Sequence, residues 1–453
     1  MASVATYLEK KGNFKNIKVI DATYDDLLND TLKYKPDIIG IGAFTVHYSQ
    51  AIKLANDFRK NSNAKIIIGG YHISTLPISF KTVFDIGVIG EGEQTMLELM
   101  KSFEKNHGFK INYLKKINGL VFFDKNKLII TEKRENIKSL DDIPTIDRKY
   151  TNQKYYDEGS DLAEWFPKVA LIETARGCPY NCVFCSPSVF WGKTRMKSVE
   201  NVVKEVKQLH EEKAMDFFAI TDDLFICSKE RIKKIVDVLE KENLLGKISF
   251  ACFARANLMD DEICKLLKKM NVKMLSFGFE SGSEKVLKYL KGPSISVEDN
   301  RRSILLCNKY GFLVGGNILL GNPGEKIEDM KKSEEFIDFC IKERTKGYMA
   351  IFVLTPFPGT PIWEIAKKHG KVSDDMDWEQ LRLQNWERPL LLDDDVSIEE
   401  FTKIFREMKK KIRYFHRQVW MNKFKRSPLR TLKLLLSGGR IMKYLTIDKR
   451  TDI

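Results

Sequence analysis

The stretch Val169-Ala-Leu-Ile-Glu-Thr-Ala-Arg-Gly-Cys-Pro-Tyr-Asn-Cys-Val-Phe-Cys185 decides the fold. Its first part is apolar and reads as a buried strand, Val169–Thr174. Its second part sets Cys178, Cys182 and Cys185 in a C-x-x-x-C-x-x-C spacing, followed by a charged helical pattern. A metal loop at the C-terminal end of a strand is where α/β folds place chemistry. Three thiolates so spaced can hold three corners of one iron–sulfur cube. The fourth iron is then left without a protein ligand, open to bind and activate a molecule.

Two other uses of close-set cysteines fit less well. A disulfide framework belongs to small secreted chains, whereas this one has 453 residues, 8 Cys and no signal-peptide pattern. Cys227, Cys252, Cys264, Cys307 and Cys340 are scattered through helix and strand patterns and read as buried or incidental thiols. A structural zinc site needs a fourth Cys or His at matching spacing. The nearest downstream histidine, His210, sits inside a helical pattern, and no second cysteine pair follows.

Downstream, strands and helices keep alternating. The strands read as Phe217–Thr221, Ile248–Phe253, Lys273–Phe279, Val314–Leu320 and Met349–Leu354. With the first strand they make six β/α units, which predicts an incomplete TIM-type barrel, a partial (β/α)6. Polar residues stand at the strand ends: Asp222 and Asp223, Arg255, Glu280, then the turn Gly321-Asn-Pro-Gly-Glu325 and the segment Thr355-Pro-Phe-Pro-Gly-Thr-Pro361. Asp222 and Asp223 equally suit a helix N-cap with first-turn charge.

Upstream, Ile17–Ile20, Ile38–Ile41, Lys65–Ile68 and Ile86–Ile89 read as buried parallel strands. Helical patterns at Tyr24–Lys33, Ser49–Lys60 and Pro77–Val83 separate them, which predicts a Rossmann-like sheet. Gly69-Gly70-Tyr71-His72 and Gly90-Glu91-Gly92-Glu93 follow the third and fourth strands, where glycine lets backbone approach a ligand. Residues 119–131 form a hairpin pattern around Lys125-Asn126-Lys127. The reading divides the chain into a Rossmann-like domain (1–105), a hairpin and linker (106–160), the partial barrel (161–365) and a helical, basic C-terminal region (366–453).

An excess equal to the whole formal charge of +14 lies within the end of that region. Between Lys403 and Arg450, 16 Lys or Arg face only Glu407 and Asp448. Residues 397–425 carry Phe401, Ile404, Met408, Ile412, Phe415 and Val419 on one helical face and a Lys/Arg-rich face opposite. This reads first as a helix packed on the barrel with a solvated basic side, and secondly as a peripheral contact with anionic lipid. The aromatics fit core spacing better than a nucleic-acid stacking platform. No apolar run approaches the roughly 20 residues of a membrane span.

The cysteine loop, with Phe184 before its last Cys and with Gly177, Pro179 and Asn181, resembles the signature of the radical S-adenosylmethionine enzymes. The Gly278–Gly282 and Gly321–Glu325 turns and the Pro-x-Pro-Gly-Thr segment resemble the strand-end motifs of one large branch. The resemblance implies a 4Fe-4S cluster on Cys178, Cys182 and Cys185, whose open iron chelates the amino and carboxylate groups of S-adenosylmethionine. One electron then cleaves the sulfonium to a 5′-deoxyadenosyl radical. It implies S-adenosylmethionine contacts for Phe184 (adenine) and Glu280 (ammonium or ribose); strand-end position adds Arg255 (the methionine carboxylate or, equally, a structural salt bridge), Asp222 (ribose or substrate) and Gly321 (backbone geometry first, cofactor contact second).

Residues 1 to about 100 resemble the cobalamin-binding domain that precedes many such barrels, with Gly69, Gly70, His72, Gly90, Glu91 and Gly92 as corrin or substrate contacts. Two features depart from that pattern. The sequence supplies no strand before the helix around Val4–Lys11, a strand that would be central in a 2-1-3-4-5 order; either the true start lies upstream, the domain closes differently, or it is degenerate. The cobalt-ligating Asp-x-His-x-x-Gly motif is absent. The expected function is radical methyl transfer to an unactivated carbon with cobalamin as a further cofactor. The alternatives are an oxidative cyclase of the anaerobic magnesium-protoporphyrin type and a non-catalytic iron–sulfur protein. Expected partners are a small-molecule, lipid or tetrapyrrole-like substrate and an electron donor such as ferredoxin or flavodoxin, in a cytoplasmic setting, with membrane-peripheral contact as the alternative.

Overall fold

The structure is a computed structural model that describes residues 1–154, 168–382 and 386–426, the side chains of 422–426 excepted. The first sheet runs β1 (Ile38–Gly42), β2 (Lys65–Gly69), β3 (Ile86–Val88), β4 (Leu120–Asp124) and β5 (Lys127–Ile130), in that spatial order. β1 to β3 are parallel, and the β4–β5 hairpin adds antiparallel to β3. The hairpin therefore belongs to the N-terminal sheet and is not a separate linker element. Alternation along β2 sends Ile66 and Ile68 to one face and Ile67 to the other, each into its own apolar cluster.

The segment expected as a first strand, Ile17–Ile20, forms none. A strand needs a neighbour to satisfy its backbone N–H and C=O groups. Among the described residues no strand lies beside Ile17–Ile20 to pair with it. β1 is accordingly an edge, paired on one side only. The helical pattern expected over Pro77–Val83 shortens to a 3-10 turn, Pro77–Ser79.

The second sheet contains β6 (Ala170–Ile172), β9 (Phe217–Ile220), β10 (Ser249–Ala254), β11 (Val272–Glu280), β12 (Leu313–Leu320) and β13 (Gly347–Val353). The intervening β7 (Ala175–Arg176) and β8 (Arg195–Met196) form a small antiparallel pair beside the cysteine loop. The six long strands are all parallel and lie side by side in chain order. Right-handed crossovers in one sequential direction put every helix on the same face, as in a barrel wall. That outer face carries the largest apolar cluster, including Phe218, Phe250, Phe277, Val314 and Ile337. The other face holds a small cluster of Val169, Phe217, Ala219, Ala251 and Met274. Above it Leu171 and Phe253 are exposed, so this face is not filled by the side chains of the described residues.

The helix Ile398–Arg426 buries Phe401, Ile404, Met408, Ile412, Phe415 and Val419 in the outer cluster. His416 Nε2 accepts the Met349 backbone N–H at 3.1 Å, which also ties the helix to β13. The apolar face of the basic helix is thus spent on the barrel; the tail beyond residue 426 lies outside the described residues. No helix among the described residues is long and apolar enough to cross a membrane. The 361–391 region packs back on the N-terminal sheet: Trp363 and Trp378 share one cluster with Tyr48, Phe58, Ile66 and Ile68. One continuous core therefore joins the N-terminal sheet to residues that follow the barrel strands.

Candidate functional site

The cysteine loop leaves β6 at Ile172 and is braced at once. Asp222, at the end of β9, accepts the backbone N–H of Thr174 at 2.6 Å and of Ala175 at 2.9 Å, and the Thr174 hydroxyl. Both its carboxylate oxygens are engaged, and burial pushes its pKa up to about 6. Asp223 accepts from Gly177 N–H at 3.2 Å and faces Cys178 and Cys185; burial raises it to about 6 also. Farther along, Val183 N–H donates to Leu290 O at 3.0 Å, and Val183 O accepts from Ile362 N–H at 3.2 Å. The loop is strapped between the helices Glu284–Lys291 and Pro361–Lys368.

Cys178, Cys182 and Cys185 are free thiols, all partly buried. Burial, then the neighbouring sulfurs, raise Cys178 and push Cys185 up to about 12. Cys182 acts on both Cys178 and Cys185. Among the described residues no His, Cys, Asp or Glu group is drawn together tightly enough to hold a single metal ion, while three thiols in one loop are the donor type a cluster with one open iron requires. A bound metal would reverse those shifts by ligating the thiolates.

From the far side of the loop, Arg255 at the end of β10 points back at it. Its Nη1 lies 3.4 Å from Cys182 Sγ, its Nη2 donates to Lys291 O at 2.9 Å, and its Nε donates to Asn257 Oδ1 at 2.9 Å. The guanidinium carbon sits 3.9 Å from the centre of the Tyr180 ring. Glu280 closes β11 with a left-handed φ of 62° and is buried. The conformation is one that non-glycine residues rarely take, and it sits at a site. Lys291 Nζ donates to Gly278 O and stands 3.7 Å from Glu280 Oε1. Burial raises the Glu280 carboxyl and lowers the Lys291 ammonium, each toward its neutral form. The structure thus brings Arg255 and Glu280 together with the cysteines, and adds Lys291 and Tyr180.

Other expected contacts are turned to structural use. Gly321 has φ 77°, and its N–H, with the Asn322 N–H and side-chain amide, donates to Glu325 Oε2. Phe184 packs against the cluster that holds Trp363. His72 is fully buried, its Nε2 2.9 Å from Ser79 Oγ and its ring 3.9 Å from Tyr48; burial lowers it to about 3. A Cβ on Gly70 (φ 100°) would lie 2.6 Å from Ala43 O, so close backbone packing requires that glycine. Gly69 meets only Val88, at ordinary contact distance, and Gly92 lies against Val4. Gly90, at φ 81°, has no described atom within 4 Å of where a Cβ would lie, so the space beside this strand end is open.

Glu91 is buried in ion pairs. It accepts from Arg176 Nη1 at 2.8 Å, from Arg195 Nη1 at 2.9 Å and from Ile137 N–H at 2.7 Å. Arg176 also binds Glu93 at 2.8 Å and Glu173 at 3.0 Å. Burial alone would raise the Glu93 carboxyl, but Arg176 holds it below its ordinary range. This cluster ties the Gly90–Glu93 turn of the first sheet to the strand entering the cysteine loop. Beside it, Phe44, Tyr71 and Phe190 stack in series at 5.5 and 4.4 Å, and Trp191 meets Phe190 edge-on. Sequence reasoning missed Arg176, Arg195 and Lys291 because isolated cations in strand and helix patterns carry no signal of burial.

A parallel-stranded barrel wall with a three-thiol loop at its first strand end, preceded by a parallel α/β sheet, defines the class. Family models agree: "Radical SAM superfamily" matches residues 172–337 and "B12 binding domain" matches residues 1–100. The chain is a radical S-adenosylmethionine enzyme carrying a B12-binding domain. It is similar to an uncharacterized methyltransferase of Pyrococcus horikoshii, at 29% identity over 85% of this chain and 81% of the relative. It is also similar to the anaerobic magnesium-protoporphyrin IX monomethyl ester cyclase of Cereibacter sphaeroides, at 24% over 81% of this chain and 60% of the relative. In fold it resembles the solved cobalamin-dependent radical enzyme OxsB with aqua-cobalamin and S-adenosylmethionine bound (TM-score 0.68, 17% identity, 96% of this chain, 71% of that one). A radical SAM domain implies a 4Fe-4S cluster and S-adenosylmethionine.

Proposed function

We propose that this protein reductively cleaves S-adenosylmethionine at a 4Fe-4S cluster held by Cys178, Cys182 and Cys185, and uses the radical for cobalamin-dependent methyl transfer to an unactivated carbon. The observation that carries the reading is the convergence of Arg255, Glu280 and Lys291 on the cysteine loop at the strand ends of one sheet. When bound, the cluster supplies an open iron and one low-potential electron. The chain's own residues then bind and orient. Glu280 is placed to accept from an ammonium or ribose hydroxyl, and Lys291 and Arg255 are cations for a carboxylate; Asp222 holds the loop, with ribose contact its proposed second role. Phe184 and Gly321 are proposed to border the nucleoside.

Cobalamin fits in part. Gly90 offers an open turn and Gly69, Gly70 and Gly92 a small-residue border; Glu91 has its carboxylate committed to Arg176, Arg195 and Ile137, and His72 has Nε2 held by Ser79 while its buried Nδ1 has no partner among the described residues. The name of the cyclase relative favours a flat tetrapyrrole-like substrate and keeps oxidative cyclisation as the second reading. The proposed setting is cytoplasmic, with a ferredoxin or flavodoxin as electron donor, and with lipid contact by the basic tail as a subsidiary proposal.

Anaerobic reconstitution with iron and sulfide, then dithionite and S-adenosylmethionine, tests the core of this. 5′-Deoxyadenosine should form and should vanish in Cys182→Ala. Equal amounts from that variant, or none from the wild type, would leave a non-catalytic iron–sulfur protein. Failure of corrin absorbance to co-purify after expression with excess hydroxocobalamin would remove the cobalamin part alone.

A further inference from the structure

We infer that Arg255, assisted by Lys291, sets the reduction potential of the cluster by donating to a ligating sulfur. This rests on the reading that the three cysteines hold a 4Fe-4S cluster. Arg255 is buried, and each of its nitrogens has a fixed destination: Asn257 Oδ1, Lys291 O and Cys182 Sγ. The Tyr180 ring backs the guanidinium, so the arm aimed at the sulfur is held from behind as well. A guanidinium cannot lose its proton here, so the donor and the charge are permanent.

The surrounding charges sharpen the point. Among the described residues, two buried basic side chains, Arg255 and Lys291, face one buried acidic one, Glu280, so whichever of that pair holds the proton, one positive charge is left without a buried partner on this side of the loop. On the other side Asp223 faces Cys178 and Cys185 and acts in the opposite sense. Cluster potentials respond to net charge, burial and hydrogen bonds to the sulfurs. When one electron passes from an external one-electron donor to the cluster, the ligand sulfurs become more negative. A fixed N–H and positive charge at Cys182 stabilise that reduced form more than the oxidised one. No bond is made or broken in this step, and no proton is required.

The experiment is an EPR-monitored redox titration of the reconstituted full-length chain, with dithionite as reductant. The variants are Arg255→Gln, Arg255→Lys and Lys291→Gln. Arg255→Gln should lower the midpoint, so that the reduced-to-oxidised ratio at the wild-type midpoint falls about tenfold, equal to about 59 mV for a one-electron couple. Arg255→Lys keeps the charge but not the fork, and should fall in between; Lys291→Gln should shift in the same direction. A purely structural role would change iron content or melting temperature while leaving the midpoint in place. An unmoved midpoint in Arg255→Gln with full iron content overturns the inference. If that variant does not load iron, unmoved midpoints in both other variants overturn it. A wild-type chain that takes up no iron and sulfide sinks the cluster reading itself, a different failure.

Discussion

Replacing Glu91 by alanine should destabilise the junction between the two sheets far more than an ordinary substitution. The Glu91 side chain is 4% exposed and answers Arg176, Arg195 and the Ile137 N–H. Without it, Arg176 keeps Glu93 and Glu173, but Arg195 loses its only carboxylate among the described residues. Its Nε and Nη2 already lack partners among the described residues, so Arg195 would retain a single contact, the Ile137 carbonyl. Removing one partner of a buried pair costs about 3–5 kcal/mol, because the remaining charge stays desolvated. Against a net stability of about 5–15 kcal/mol, that is enough to open the region locally.

Hydrogen exchange read by mass spectrometry provides the assay. Glu91→Ala should speed exchange of Ile137 and of residues 175–185, with urea unfolding shifted by a similar free energy. Glu91→Met combined with Arg195→Met should recover most of the loss, since an apolar pair leaves no stranded charge. High salt should not mimic the effect, because buried pairs are poorly screened. A loss below about 1 kcal/mol, or a double variant worse than the sum of the singles, would refute the account.

Glu325 gives a pH test. Burial raises its pKa from 4.5 to about 7, against the N–H groups of Asn322 and Gly321. Since the folded value lies above the unfolded one, stability from this group is whole below about 4.5 and falls as pH rises to about 7, by roughly 3 kcal/mol. Glu325→Gln keeps an acceptor for the turn and should flatten that slope in urea melts at pH 5 and pH 8; an unchanged slope would exclude it as the source. Alanine at Cys178, Cys182 or Cys185 should each abolish most iron uptake on reconstitution, while Cys340→Ala, buried in the outer cluster, should leave the iron-to-protein ratio unchanged. Phe401→Ala, removing a fully buried ring between the C-terminal helix and the barrel, should cost about 3–5 kcal/mol by denaturant melt; a loss under 1 kcal/mol would mean that the helix is not docked.

By itself the sequence determined the parallel α/β character of both sheets. Buried parallel strands are apolar runs of a few residues, so β2 and β12 announce themselves without knowledge of what packs on them. It also determined the three-thiol loop, because C-x-x-x-C-x-x-C constrains ligands locally, over eight residues. Only tertiary structure decided the rest. Ile17–Ile20 is as apolar as β1, yet without a neighbour to complete its ladder it forms no strand. Glu91 and His72 sit in ligand-like turns, and what turned them inward was a partner distant in sequence: Arg176 and Arg195 for one, Tyr48 and Trp378 for the other. Lys291 reads as one more surface lysine at a helix end. The fold buries it against Glu280 and sets its carbonyl under Arg255, and burial, which depends on the whole chain, is what separates a solvated charge from one that can act on the cysteine loop.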